Sequence, residues 1–199
     1  MASAGSCGTR HVLLTGPPGI GKTTLTQKAC EALQTDGVRI QGFYTQEVRT
    51  GGKRQGFDVI TLEGQRGSLA RVSKQQASGA QGSRGEYRVG QYLVNLPSFE
   101  GLALPVLRFK PPSGTKCVYI IDEIGKMEMF SQHFIQAVRM VLDSPASTVL
   151  ATIPVPKGRP LPLVEEIRRR KDTTLFTVTK ENRDSLLPEV LAAVKAALC

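Results

Sequence analysis

Short apolar runs recur along the chain, each followed by a polar turn and then by residues on a helical spacing. His11 to Thr15, Cys117 to Ile121, Ser147 to Ile153 and Thr173 to Val178 read as buried strands. Between and after them, Thr24 to Leu33, Pro97 to Leu107, Phe130 to Leu142, Pro162 to Lys171 and Arg183 or Asp184 to Ala197 read as helices. In the third of these, Phe134, Ile135, Val138, Val141 and Leu142 fall on one face. Strands alternating with helices predict an α/β fold, a mostly parallel sheet with helices on both faces. The stretch from Val38 to Leu96 breaks this rhythm. Val38 to Val48 and Gly56 to Leu62 flank the turn Arg49 to Arg54, whose Gly51-Gly52 is a hairpin signal. Glu63 to Gly67 reads as another turn, Ser73 to Glu86 as a mobile loop, and Tyr87 to Leu96 as a further strand. Residues 38–96 are therefore expected to form an antiparallel β insertion in a single domain spanning residues 11–199.

Two stretches carry chemistry. Gly16-Pro17-Pro18-Gly19-Ile20-Gly21-Lys22-Thr23 matches G-x-x-x-x-G-K-[ST], the phosphate-binding P-loop, and it lies where the motif requires, between a strand and a helix. Its glycines let successive N–H groups turn inward around phosphate oxygens, and the helix that follows adds its positive end. Lys22 supplies a compact charge for the β- and γ-phosphates, and Thr23, followed by Thr24, supplies a hydroxyl for Mg²⁺. The second stretch, Val118-Tyr119-Ile120-Ile121-Asp122-Glu123, is an apolar strand ending in two carboxylates, the Walker B pattern. A buried strand delivers its last residues to the carboxyl edge of the sheet, where ligands of open α/β folds bind. Asp122 is the expected second Mg²⁺ ligand, and Glu123 the group that orients and deprotonates a water.

Charge and cysteines narrow the picture. A net charge of +9 over 199 residues suits phosphate-bearing partners. The cations are scattered, however, so nucleoside triphosphates are the expected partner and a nucleic acid is not indicated. Cys7, Cys30, Cys117 and Cys199 form no C-x-x-C pair and read as free thiols of a reducing compartment, which points to an intracellular, cytoplasmic protein. No run is long and apolar enough to span a membrane, and Met1 to Arg10 is expected to be a disordered tail. The basic run Arg168 to Lys171 is expected to be a solvated helix end. A monomer is expected.

Several segments beyond the P-loop carry a family resemblance. They are Gly42 to Thr45, Arg88 to Tyr92, Ile121-Asp122-Glu123-Ile124-Gly125-Lys126-Met127-Glu128 and Thr177 to Arg183. Together with Gly16 to Thr24 they resemble a P-loop nucleoside-triphosphatase family found in vertebrates and in thermophilic archaea and bacteria. The resemblance runs from about Arg10 to the C-terminus, and its most particular element is the Asp-Glu-Ile-Gly-Lys-Met-Glu run. It implies a RecA-like core and slow, Mg²⁺-dependent hydrolysis of nucleoside 5′-triphosphates with broad base tolerance. No N-K-x-D motif is present to read guanine. Asn182 and Arg183 could border the base, or Thr179 and Asn182 could simply cap a helix. Lys126, Lys157, Arg159 and Arg183 are candidates to stabilise charge on the transferring phosphoryl group. A small-molecule or nucleotide kinase, with Arg49 to Arg54 as a basic lid, and a nucleotide-timed binding module stay open as alternatives.

Overall fold

A computed structural model describes residues 8–73 and 86–198. The chain forms β1 (His11–Gly16), α1 (Lys22–Thr35), β2 (Ile40–Thr50), β3 (Lys53–Thr61), β4 (Arg66–Val72), β5 (Arg88–Val89) and β6 (Tyr92–Val94). It continues with α2 (Leu96–Arg108), β7 (Cys117–Asp122), α3 (Gln132–Asp143), β8 (Ser147–Pro154), α4 (Pro162–Arg168), β9 (Thr173–Thr177) and α5 (Leu187–Leu198). All nine strands join one sheet in the order β5-β6-β4-β3-β2-β7-β8-β1-β9. The β2-β7-β8-β1-β9 half is parallel, and β3 to β6 continue it by antiparallel pairing.

The expected insertion at residues 38–96 is therefore placed differently. Its first strand belongs to the parallel core, with Ile40 to Tyr44 in register with Val118 to Asp122 on one edge, while on the other edge Phe43 to Thr50 pair antiparallel with β3. Gly42 permits this. Its φ is +133°, and a side chain there would be driven into the Ile120 carbonyl of β7. Strand β4 replaces part of the turn expected at Glu63 to Gly67. The strand expected from Tyr87 to Leu96 is two short strands separated by a tight turn at Gly90. The loop expected from Ser73 to Glu86 lies mostly outside the described residues.

Period-two alternation divides the core into two layers. On β1, Leu13 faces one side with Phe43, Tyr119, Ile121, Val149 and Ala151, under α2, α3 and α4. Val12 and Leu14 face the other with Val118, Ile120 and Leu150, under α1 and α5. On the first side, Phe43, Phe99 and Phe134 meet edge to face, with centroids 5.2 to 6.1 Å apart.

Helix ends follow local hydrogen bonding and so differ from the sequence expectations. Ser131 caps α3 by accepting from the Phe134 N–H at 2.9 Å, so α3 starts at Gln132 after a 3-10 turn over Glu128–Phe130. The last helix starts at Leu187, where Pro188 fits a first turn that needs no N–H donor from it. Helix α4 ends at Arg168, and the basic run is a solvated end only in part: Arg169 and Lys171 are exposed, whereas Arg168 and Arg170 turn back onto the protein. Arg168 donates to the Pro154 carbonyl at 2.7 Å, and Arg170 pairs with Asp172 at 2.9 Å. Arg10, placed by sequence in a disordered tail, is built into the same cluster through Asp172 at 2.9 Å. Beside it, His11 opens β1 completely buried, and that burial lowers its pKa to about 4. Its Nδ1 accepts from the Val149 N–H and its Nε2 donates to the Leu142 carbonyl, both at 3.1 Å.

Candidate active site

The P-loop joins β1 to α1, and Lys22 is the first residue of the helix. Gly21 caps α1 with φ +114° and has no side chain to satisfy the first N–H groups, and the first turn contains no acid. Those N–H groups and the helix dipole make a ready anion site. The Ile20 side chain is buried in the core beneath the loop and anchors it. Lys22 is only 8% exposed, and its ammonium is folded onto the loop's own carbonyls, Gly16 at 2.9 Å and Pro17 at 3.3 Å. The lysine is thereby held where phosphate oxygens would compete for it.

Strand β7 ends beside this loop. Asp122 is 1% exposed. One carboxylate oxygen accepts from the Thr152 hydroxyl on β8, and the other is buried without a hydrogen-bond partner. Burial raises the Asp122 pKa, while Thr152, Thr23, Lys22 and the Thr45 backbone work in the other direction. An unpartnered buried carboxylate oxygen is costly unless something occupies it. With the Thr23 hydroxyl nearby, the donor set is all oxygen, which fits Mg²⁺. Among the described residues there is no group of three or more His, Cys, Asp or Glu that could hold a metal by protein ligands alone.

A cavity of about 630 Å³ opens over the loop. Gly16, Pro18, Gly19, Gly21, Lys22, Thr23 and Thr24 form one wall. Glu123, Lys126, Met127 and Glu128, from the segment after β7, form a second. A third wall comes from Val155 to Leu161, including Lys157 and Arg159, and a fourth from Thr45, Gln46, Glu47, Arg54 and Phe57 of β2 and β3. Glu123 is raised in pKa by burial and by Asp122, against the pull of Lys22. A carboxylate poised above its usual range, facing a cationic phosphate site, is suited to accept a proton.

The expected phosphate and metal residues thus come together, with Lys126, Lys157 and Arg159 on the same cavity. Pro17, Ile20, Asn182 and Arg183 do not line it. Arg183 lies on the other flank of the loop, its Cδ 4.0 Å from where a Gly21 side chain would begin. Asn182 is tied into the loop after β9. Its carbonyl oxygen accepts from the Thr179 N–H at 2.8 Å and its amide donates to the Thr177 carbonyl at 2.9 Å, so it shapes the loop after β9. Sequence reading missed Thr152 and Glu128. A threonine inside an apolar strand was the available signal for the first. For the second it was the acid that closes the Asp-Glu-Ile-Gly-Lys-Met-Glu run.

A mixed α/β sheet with a parallel half, a P-loop at the edge of β1 and an acidic pair at the edge of β7 define a P-loop nucleotide-binding protein. A family model described as NTPase matches residues 11–191. The chain is 60% identical over 193 residues to the cancer-related nucleoside-triphosphatase homolog of Mus musculus, covering 94% of this chain and 98% of that protein. It is 42% identical over 184 residues to the nucleoside-triphosphatase THEP1 of Thermotoga maritima, covering 92% and 95%. A solution structure of a human cancer-related nucleoside triphosphatase superposes with a TM-score of 0.82 at 59% identity, covering 94% of this chain and 98% of that one. The crystal structure of THEP1 from Aquifex aeolicus superposes at 0.75 with 39% identity, covering 93% and 99%. The chain belongs to this NTPase family of P-loop nucleoside-triphosphatases.

Proposed function

We propose that the protein hydrolyses nucleoside 5′-triphosphates to the diphosphate and phosphate, with Mg²⁺, slowly and with little preference among ATP, GTP, CTP and UTP. Family membership supports the hydrolysis itself. The observation that carries the mechanism is Glu123, a part-buried carboxylate of raised pKa on the cavity wall opposite Lys22. The loop amides and Lys22 bind the phosphates, and the lysine exchanges its bonds to Gly16 and Pro17 for phosphate oxygens. Thr23 and Asp122 would hold Mg²⁺, which supplies charge neutralisation to the phosphates when bound. Glu123 aligns a water with the γ-phosphorus and takes its proton. Lys126, Lys157 and Arg159 lie on the same cavity and are placed to offset charge on the transferring phosphoryl.

Broad base tolerance follows from the loop after β9. Asn182 is spent on that loop's backbone, and Arg183 offers a planar cation that stacks on any base. The hydrolase reading is favoured over a kinase by Glu123, a carboxylate beside Asp122 on the cavity wall, while Arg49 and Arg54 of the basic turn both pair with Glu47. We further take the protein to act as a monomer in the cytoplasm, and the buried free thiols of Cys30 and Cys117 support the reducing compartment. Among the described residues, no helix is long and apolar enough to cross a membrane. The test is phosphate release from the four triphosphates with Mg²⁺ or excess EDTA. We expect kcat/KM values within about tenfold, which is about 1.4 kcal/mol, and loss of activity in EDTA. A thousandfold preference for one base, or full activity in EDTA, contradicts the reading.

A further inference from the structure

The loop at 155–161, between β8 and α4, brings Lys157 and Arg159 to the cavity, and its sequence builds it as a stiff arm. Pro154, Pro156 and Pro160 fix the backbone φ along it, and Gly158, at φ +66°, makes the turn between the two cations. Both cations are exposed, and among the described residues neither makes an ion pair. Among the described residues, no backbone group of 155–160 bonds to another backbone group. The direction of the arm is therefore set at its root. There Pro154 has no N–H to give the ladder, and its carbonyl accepts from Nη2 of Arg168 at 2.7 Å. The same nitrogen donates to the Thr15 hydroxyl at 3.2 Å, one residue before the P-loop begins. Thr15 and Gly16 lie beside Ile153 and Pro154 in the ladder of β1 and β8. One nitrogen thus clasps the two strand ends from which the P-loop and the cation loop depart. As a stabilising tie Arg168 is poorly used. Among the described residues it has no ion pair, and its Nε is buried without a hydrogen-bond partner. A buried donor left unsatisfied is unfavourable, so what this side chain contributes is the placement of its tip.

We propose that Arg168 is a positioning residue for hydrolysis: it fixes the root of the 155–160 loop against the P-loop, so that Lys157 and Arg159 meet the transferring phosphoryl group in one set direction. Its own base is rigid, because Leu163, Val164 and Ile167 of α4 are packed in the core. The prolines carry the direction of the root out to the tip. From Pro154 to Lys157 the arm is three residues, at most about 10 Å, so a tilt of about 6° at the root moves the tip by about 1 Å. A misplacement of that size can lower a rate on the order of 10²-fold. Cations offset developing charge well only when they are already in place as it develops. The bound triphosphate is held elsewhere, by the loop amides and Lys22. Losing Arg168 therefore lowers the rate and leaves affinity nearly intact.

This role rests on Lys157 and Arg159 offsetting phosphoryl charge, and five proteins separate the two claims. They are the wild type, Arg168→Met, Arg168→Lys, the pair Lys157→Ala with Arg159→Ala, and that pair combined with Arg168→Met. Single-turnover phosphate release and nucleotide affinity by calorimetry are measured with ATP and Mg²⁺, each protein well below its own melting transition. We expect Arg168→Met to lower the rate by roughly 10- to 100-fold, with affinity within about threefold. Arg168→Lys recovers most of that loss, since both bonds come from one terminal nitrogen that an ammonium can replace. In the background without the two loop cations, Arg168→Met causes no further loss, because the groups it aims are gone. An unchanged rate in Arg168→Met, a lysine no better than methionine, or losses that multiply in the combined variant would each overturn the proposal. A wild-type rate in the pair alone would overturn the role of the loop cations, and the positioning role with it. Should Arg168→Met fail to give a cooperative thermal transition, Arg168→Gln replaces it, alone and in the same background. Its amide ends at the level of the unpartnered Nε, short of the nitrogen that makes both bonds, so the same outcomes are expected and the same ones decisive.

Discussion

Lowering the pH should loosen the strand that carries the P-loop, and His11 sets the size of the effect. Its buried ring accepts at Nδ1 from the Val149 N–H and donates at Nε2 to the Leu142 carbonyl. A second proton at Nδ1 would face that N–H head on. Burial, with Arg10 and Arg170 nearby and Asp172 opposing them, lowers its pKa from 6.5 to about 4. For a base held below its unfolded value, the unfolded chain binds the extra proton first. The stabilising contribution is complete above pH 6.5 and is lost as the pH falls toward 4. Between pH 7 and pH 5 that amounts to about 2 kcal/mol, or a melting shift of about 4–8 °C for a chain of this size. Asp122, Glu123 and Glu128 act with the opposite sign, because burial raises their pKa values. The wild-type curve alone is therefore a mixture. The informative quantity is the wild type minus His11→Gln, measured by urea unfolding at pH 7 and pH 5. Glutamine is not titratable, so whatever its absolute cost, the variant should lose about 2 kcal/mol less than the wild type on acidification. Equal pH dependence of the two proteins would refute the buried neutral imidazole.

Two further outcomes follow from the site. Lys22→Ala removes the charge that the loop holds for the phosphates and should abolish phosphate release while leaving circular dichroism and the melting transition intact; wild-type turnover in a folded variant would contradict the assignment. Arg183→Ala should weaken affinity for all four triphosphates alike, by about 0.5–2 kcal/mol if the guanidinium stacks on the base, and calorimetry showing loss for one base only would mean that the residue reads base identity.

Much of the parallel half of the fold was legible in the sequence because its strands are continuous apolar runs and its helices keep a clean period. The P-loop and the Asp122-Glu123 pair were legible because phosphate and metal chemistry demand particular residue types at fixed spacing. What was hidden depended on partners distant in sequence. Strand β4 follows a glycine turn and opens on Arg66-Gly67-Ser68, and its Leu69 and Ala70 become strand by packing on β3 and under α2. Asn182 has the right chemistry for a base contact or a loop bond, and only the turn of the chain after Thr177 decides for the loop. Arg168 and Arg170 look like a solvated cluster until the fold brings Pro154 and Asp143 to them. Glu128 is hidden for the same reason, since its burial beside Glu123 depends on how the segment after β7 folds back.

The central claim is that this protein activates water with a carboxylate of its own, and Glu123→Gln tests it most directly. The substitution keeps the size of the side chain and leaves Lys22, Thr23 and Asp122 untouched. Nucleotide affinity with Mg²⁺ should stay within about threefold, while the single-turnover rate of phosphate release should fall by roughly 10²–10⁴-fold, the usual worth of a general base. Unchanged affinity together with a rate near that of the wild type would contradict the claim.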